Sequence, residues 1–300
     1  MAKAKKEPTD WAARVADAFT RYIEENNTLP WLKGWTTDGI FPCNLNSKHT
    51  YQGINALLLG MMGTMRGYST PYYLTIGQMN TMGGKFRDWE GDAKDNGLPI
   101  VFWKPLKVED RVTGKDKMIF FLKGWTVWNI AHMEGIEVPV VEREPVILSD
   151  ALAALRNGYE GGPSIVETLS AQAYYTPSLH QVTIPSLSQF ISEMAWGETM
   201  AHELIHSTGH PDLENRFEKG YVGGHEAYAK EELVAEIGAA IVLQRLGLEP
   251  EMQRMADYVK GWGSKIKDDP RMLISAANKA DKAANRVLGI EVAHYEEAAA

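Results

Sequence analysis

Cysteine is almost missing from this chain of 300 residues: Cys43 stands alone. That excludes an internal disulfide framework and any zinc module built from cysteines, and it suits a reducing, cytoplasmic setting. Long apolar runs are missing too. The most apolar stretch, "INALLLGMMGTM", is too short and too rich in glycine to cross a bilayer. The opening "MAKAKKEPTD" is polar and meets a proline before any apolar run, so no secretory signal is visible. We expect no membrane role. No internal repeat is visible either. What remains is an ordinary globular composition, 44% apolar and 23% charged, at a length that suits one large or two medium domains.

The net charge of −8 is unevenly spread. Residues 1–130 hold 17 Lys and Arg against 13 Asp and Glu, and the remainder holds 14 against 26. Seven of the nine tryptophans fall in that first part. Two halves of different chemistry follow, and the segment "HMEGIEVPVVEREP", charged and without helical period, is the expected linker. We place the domains at 1–140 and 141–300, in an α+β fold.

Thr9 or Asp10 caps a helix running to about Asn26, with Trp11, Val15, Phe19 and Tyr22/Ile23 on one face. A second helix is expected near "YQGINALLL". Two strand-like segments, "LPIVFWKPLKVED" and "KMIFFLKGWTVWNIA", flank the turn residues "RVTGKD" as in a hairpin. Beyond the linker, Ser149 is the expected cap of a short helix that stops at Gly158. "AQAYYTPSLHQVTIPS" reads as two short strands around a turn. Ser188 is expected to open a helix reaching Gly209, and a further helix covers "HEAYAKEELVAEIGAAIVLQRLG". Two more start near Pro250 and Pro270.

"MAHELIHSTGH" carries the chemistry. His202 and His206 are four residues apart, so on a helix they share a face and can grip one metal ion. Glu203, beside the first of them, is placed to take a proton from water at the metal, the H-E-x-x-H arrangement of zinc peptidases. With 8 His and 25 Glu, chance yields roughly 0.02 such strings in the chain. The alternative is a surface helix whose histidines are satisfied structurally. A third ligand is sought in "YAKEELVAEIG": Glu232 ligates, while Glu236, one turn on, holds the free N–H of a ligating histidine. Glu231 has Ala235 four residues on and so lacks such a partner. A solvated helix face is the bland alternative for these glutamates. His and carboxylate ligands suit Zn²⁺ and also permit Mn²⁺ or Co²⁺. His210, Tyr221, His225 and Tyr228 are candidate donors to an oxyanion in the transition state.

The pair "HELIHSTGH" and "YAKEELVAEIG" resembles the Glu-zincin metallopeptidase domain of ArdC-type antirestriction proteins, which plasmids and phages carry. "YQGINALLL" and the aromatic "WTVWNIA" resemble that family's N-terminal domain, and the likeness spans about residues 10–290. The resemblance implies a single-stranded-DNA-binding domain followed by a zincin-like domain. It further implies protection of plasmid DNA from host restriction after conjugation, in a bacterial cytoplasm. A host restriction enzyme or another protein would be the proteolytic substrate. Two other readings stay open: a DNA-binding protein that masks DNA with a non-proteolytic metal site, and a metallopeptidase whose first half recognises proteins.

Binding single strands needs flat rings for stacking and cations for phosphates. The first half interleaves them: Trp31, Lys33, Trp35; Lys48, Tyr51; Lys85, Arg87, Trp89; Trp103, Lys104; Lys123, Trp125, Trp128. Aromatics also fill cores, and strand alternation turns at least half of those in the two β segments inward.

Overall fold

The computed structural model describes residues 9–26, 41–87, 96–109, 116–139, 147–217, 224–248 and 265–291. Trp31, Lys33, Trp35, Trp89, most of "RVTGKD", the last part of the expected linker (140–145), Tyr221 and the helix expected at Pro250 lie outside them, while the start of that linker forms a strand, Met133–Glu134, paired with Lys85–Phe86. The first half runs α1 (Trp11–Asn26), β1 (Cys43–Asn44), α2 (Gly53–Met65), β2 (Tyr72–Leu74), α3 (Ile76–Thr81), β3 (Lys85–Phe86), β4 (Leu98–Glu109), β5 (Asp116–Asn129) and β6 (Met133–Glu134). Asp10 opens α1, its carboxylate accepting the N–H of Ala13 at 3.0 Å. The helix buries Val15, Phe19 and Tyr22, the stripe that its period implies. β1, β2, β5 and β4 form one sheet in that order. Its dominant part is the β4–β5 hairpin, paired residue for residue from Leu98↔Val127 to Glu109↔Asp116. α2 is apolar all round because it is enclosed, between the sheet and the last helix of the chain.

The second half runs α4 (Leu148–Asn157), β7 (Ser164–Thr168), β8 (Tyr174–Thr176), β9 (Gln181–Pro185), α5 (Glu193–Thr208), α6 (Gly224–Arg245) and α7 (Pro270–Val287). The expected caps need correction. Ser149 sits inside α4, whose N-cap is Ile147 with no side-chain bond; the stop at Gly158 is as expected. Ser188 lies in a short 3₁₀ turn that Ser186 and Gln189 close as a capping box, and Ser192 starts α5 by accepting the N–H of Ala195 at 3.0 Å. Two capping signals six residues apart divide what looked like one helix. β7 was not expected. It pairs parallel to β9, with β8 antiparallel on the other side, and it is largely exposed, so it lacks the alternation that reveals a half-buried strand.

α7 is capped by Asp269 with Pro270 in its first turn. Half of its buried residues are alanine (Ala276, Ala277, Ala280, Ala283, Ala284), which lets it lie close to α6, α5, α2 and α1 together. One apolar core therefore runs from α1 to α7. The junction is polar at one point. Gly53 has φ +55°, and a Cβ there would stand 2.1 Å from Asn278 Oδ1. Only glycine fits that backbone and that neighbour, and Asn278 Oδ1 in turn accepts the N–H of Ile54 at 3.3 Å.

Candidate metal centre and aromatic hairpin

α5 and α6 lie side by side. The close approach depends on Gly238, where a Cβ would meet the Ile205 side chain at 2.8 Å. It sets Glu231, Glu232 and Glu236 of α6 opposite the histidines of α5. His202 Nε2 and His206 Nε2 are 3.0 Å apart, and the Glu232 carboxylate oxygens lie 3.6 Å from the first and 3.4 Å from the second. Ligands at zinc–nitrogen distances around a tetrahedron are separated by about 3.3 Å, so these three groups have the spacing of a shared ion. They form the one cluster of this kind among the described residues. His210 is not part of it. The helix has ended at Thr208, and the His210 ring packs against His180, 4.4 Å between centroids, with Nδ1 accepting the N–H of Asp212. The side chain of His225 lies outside the described part of α6.

The electrostatics also suit a cation. Burial of the histidine pair works against charge on either ring. His206 nevertheless has its pKa pushed up to about 9, because Glu231 and Glu232 accept hydrogen bonds from it. His202 is pushed down to about 4, by burial and then by the charge of His206. Glu203 is buried, and desolvation raises its carboxyl to about 7 against the opposing pull of His206. The backbone N–H of Tyr175 in β8 donates to it. Tyr228, one turn before Glu232, donates to the Glu232 carboxylate.

Glu236, expected to hold a ligand's N–H, has Oε1 3.9 Å from His202 Nδ1, beyond a direct hydrogen bond. Burial and the neighbouring Glu232 raise its carboxyl to about 7. Glu231, set aside on sequence, is the residue that meets a ring N–H: its Oε1 lies 3.4 Å from His206 Nδ1. Burial alone would raise the Glu231 carboxyl, but hydrogen bonds from His206 and Arg216 hold it below its ordinary value. Spacing could not have found this pair, because Arg216 comes from the loop after α5. The one local signal was that adjacent glutamates point about 100° apart on a helix, enough to reach both sides of one ring.

The aromatic residues divide. Tyr51 is only 2% exposed, and its hydroxyl accepts a hydrogen bond from Asn44 Nδ2 at 3.1 Å. It is a core residue and offers no stacking face, which corrects the expectation. Trp128 is likewise buried, edge-on to Phe86, and Lys85 is paired with Glu134 at 2.9 Å. Lys48 is exposed in the turn after β1. On the hairpin, residues directly opposite share a face. Ile100↔Trp125, Phe102↔Lys123 and Lys104↔Phe121 therefore put Trp125, Phe102, Phe121 and two lysines on one side. Lys123 and Lys104 lie 4.6 and 5.8 Å from the Trp125 ring centre, and Phe102 packs edge-on to it. Trp103, 45% exposed, is on the other face. Phe102 and Phe121 were not singled out from sequence; the register supplies them.

No helix among the described residues is long and apolar enough to cross a membrane. Residues 9–128 match the N-terminal domain of the anti-restriction factor ArdC, and residues 160–279 match a zincin-like metallopeptidase domain. Over nearly its full length the chain is similar to DNA primase TraC of Escherichia coli, 29% identical over 99% of this chain, but it spans only 28% of that relative. An uncharacterized protein of Sinorhizobium fredii, y4eC, is 28% identical, with 93% of this chain and 91% of that protein covered. Among solved structures, the metal-free antirestriction protein ArdC of plasmid R388 superposes with a TM-score of 0.72 at 31% identity, covering 93% of this chain and 97% of that one. Its Mn(II)-bound form gives 0.74 at 29% identity, covering 94% and 98%. A fold shared with a metal-bound neighbour, and a ligand triangle between two helices, suggest a divalent ion here as well. With two domains matched in order and a relative covered almost end to end, the chain belongs to the ArdC antirestriction family.

Proposed function

We propose that the chain binds single-stranded DNA through its first domain, about 1–140, and carries a zinc-type metallopeptidase site in its second, about 141–300, the two together protecting DNA that enters a bacterial cell from host restriction. The observation that carries the enzymatic half is the buried Glu203 beside the His202–His206–Glu232 triangle, since a purely structural metal site has no use for a carboxylate there. A divalent ion held by those three residues, Zn²⁺ by preference with Mn²⁺ or Co²⁺ as substitutes, would supply Lewis acidity at a scissile carbonyl and at the attacking water. Glu203 accepts the proton from that water and passes it to the leaving amine. β8 is an edge strand whose Tyr175 N–H already touches Glu203, so an extended peptide added along it lies next to the base. A host restriction enzyme is the protein substrate this reading favours.

For DNA, the supporting feature is the Trp125–Phe102–Phe121 face with Lys104 and Lys123, where rings can take bases and ammonium groups phosphates. Similarity to proteins named as DNA primases supports a role at DNA. The test is paired. Glu203→Gln is compared with the parent for metal content and for protection of transferred DNA, and both are titrated with a labelled oligonucleotide at two salt concentrations. Retained metal, retained salt-sensitive DNA binding and lost protection support the proposal. Full protection by Glu203→Gln would leave only masking of DNA, and absence of oligonucleotide binding would remove the DNA half.

A further inference from the structure

Arg216 stands in a loop with no motif around it, yet its side chain is 5% exposed and every N–H it owns is used. Nε donates to Glu231 Oε2 at 3.0 Å, and Nη2 to Glu231 Oε1 at 2.9 Å and to the Ile205 carbonyl at 2.7 Å. Nη1 donates to Thr208 Oγ1 at 2.7 Å and to Glu214 Oε2 at 3.0 Å. Five donors on five acceptors is the full capacity of a guanidinium. Two of them grip one carboxylate as a fork, which fixes the plane of that carboxylate as well as its position.

We propose that Arg216 is a positioning residue for the metal site, acting on His206 through Glu231. The inference rests on the metal-site part of the function proposed above. Glu231 Oε1 is the atom shared between the fork and His206 Nδ1, at 2.9 and 3.4 Å. An ionised carboxylate only accepts, so it takes the Nδ1–H and leaves Nε2, which faces His202 Nε2 and Glu232, as the nitrogen that would ligate an ion in place of its proton. Two of the three remaining bonds tie the same guanidinium to Ile205 and Thr208, on either side of His206 along α5. Arg216 thus spans from the backbone of the ligand's own helix to the carboxylate on α6 that aims the ligand. Glu214 behind it is backed by Arg286 of α7 at 3.6 Å. Among the described residues His202 has no such arrangement: Glu236 Oε1 stands 3.9 Å from its Nδ1.

A positive charge this close to a metal site would by itself weaken cation binding. Charge and geometry therefore predict opposite signs for loss of the arginine, and Arg216→Lys separates them because it keeps the charge and loses the fork. Zinc affinity is measured by competition with a chromophoric chelator, and the downfield ring N–H proton of His206 is followed by NMR in the zinc-loaded protein. For Arg216→Lys we expect zinc bound about 10–100-fold more weakly and the His206 Nδ1–H signal shifted or lost through exchange, with His202 little changed. If Arg216→Lys does not fold, Glu231→Gln, which keeps the packing and leaves Arg216 in place, is expected to give the same two changes. A folded variant with parental zinc affinity and an unchanged His206 signal would make Arg216 a structural tie only and overturn the inference, while zinc binding by the parent kept the site itself intact. No zinc uptake by the parent would instead remove the metal site, and with it any role for Arg216 there.

Discussion

On the β4–β5 hairpin the chemistry faces outward: Trp103 and Phe121 are 45% and 41% exposed, and Lys123 is exposed beside the half-buried Trp125. Between α5 and α6 it faces inward, with Glu203 and His206 7% and 5% exposed and their neighbours tied to one another. The two regions are sensitive to change in different ways. In the buried cluster each group constrains the next, so a single loss leaves a charge or a lone pair without its partner in a medium of low dielectric. On the hairpin, Trp103 and Phe121 stand on opposite faces and should respond independently, whereas Phe102, Trp125 and their lysines touch one another and should couple.

The largest effect expected from this contrast is at Glu232. Glu232→Ala should remove metal almost completely by elemental analysis, and one ion per chain retained would show that the triangle is not the site. Glu203→Gln should keep the metal and reduce any peptide turnover about 10²–10⁴-fold, the usual contribution of a general base; unchanged turnover at saturating peptide would dissolve the link between burial and catalysis. On the open surface, Trp125→Ala should weaken binding of a labelled oligonucleotide by about 1–3 kcal/mol. Trp103→Ala, on the opposite face, should change it less, and equal losses would mean that the strand wraps the hairpin. The smallest effect concerns pH. His132 is buried against Tyr68, and burial together with Arg66 lowers its pKa from 6.5. The unfolded chain then binds the proton more readily, so this group's contribution to stability is present above pH 6.5 and is lost as pH falls through the lower folded value. Melting temperatures of His132→Gln should fall less steeply than those of the parent below pH 6.5.

What could be read in advance follows the range of the interactions. His202, Glu203 and His206 are legible because four residues make one helical turn, and Glu232 because a second helix carries carboxylates at the same period. α1, α2, the hairpin and α7 are legible through their caps and apolar runs. Ser149 misleads because α4 has already begun, with Ile147 at its N-cap, and Ser188 because it lies in a 3₁₀ turn ahead of the true cap, Ser192. Glu231 and Arg216 are hidden because their bond joins a helix to a loop 15 residues away, with no periodicity to announce it. Tyr51 looked like a platform because a ring's exposure is decided by the far side of the fold.

The alanine face of α7 has a consequence in time. Ile54 waits for Asn278, 224 residues later in the chain, and α1 and α2 wait for the same helix to cover them. At roughly 5–20 residues per second of synthesis, the first half leaves the ribosome with that surface uncovered for about 10–45 s. During that interval the nascent chain depends on a chaperone or on its own solubility, and the first half becomes complete only when the second half has been made.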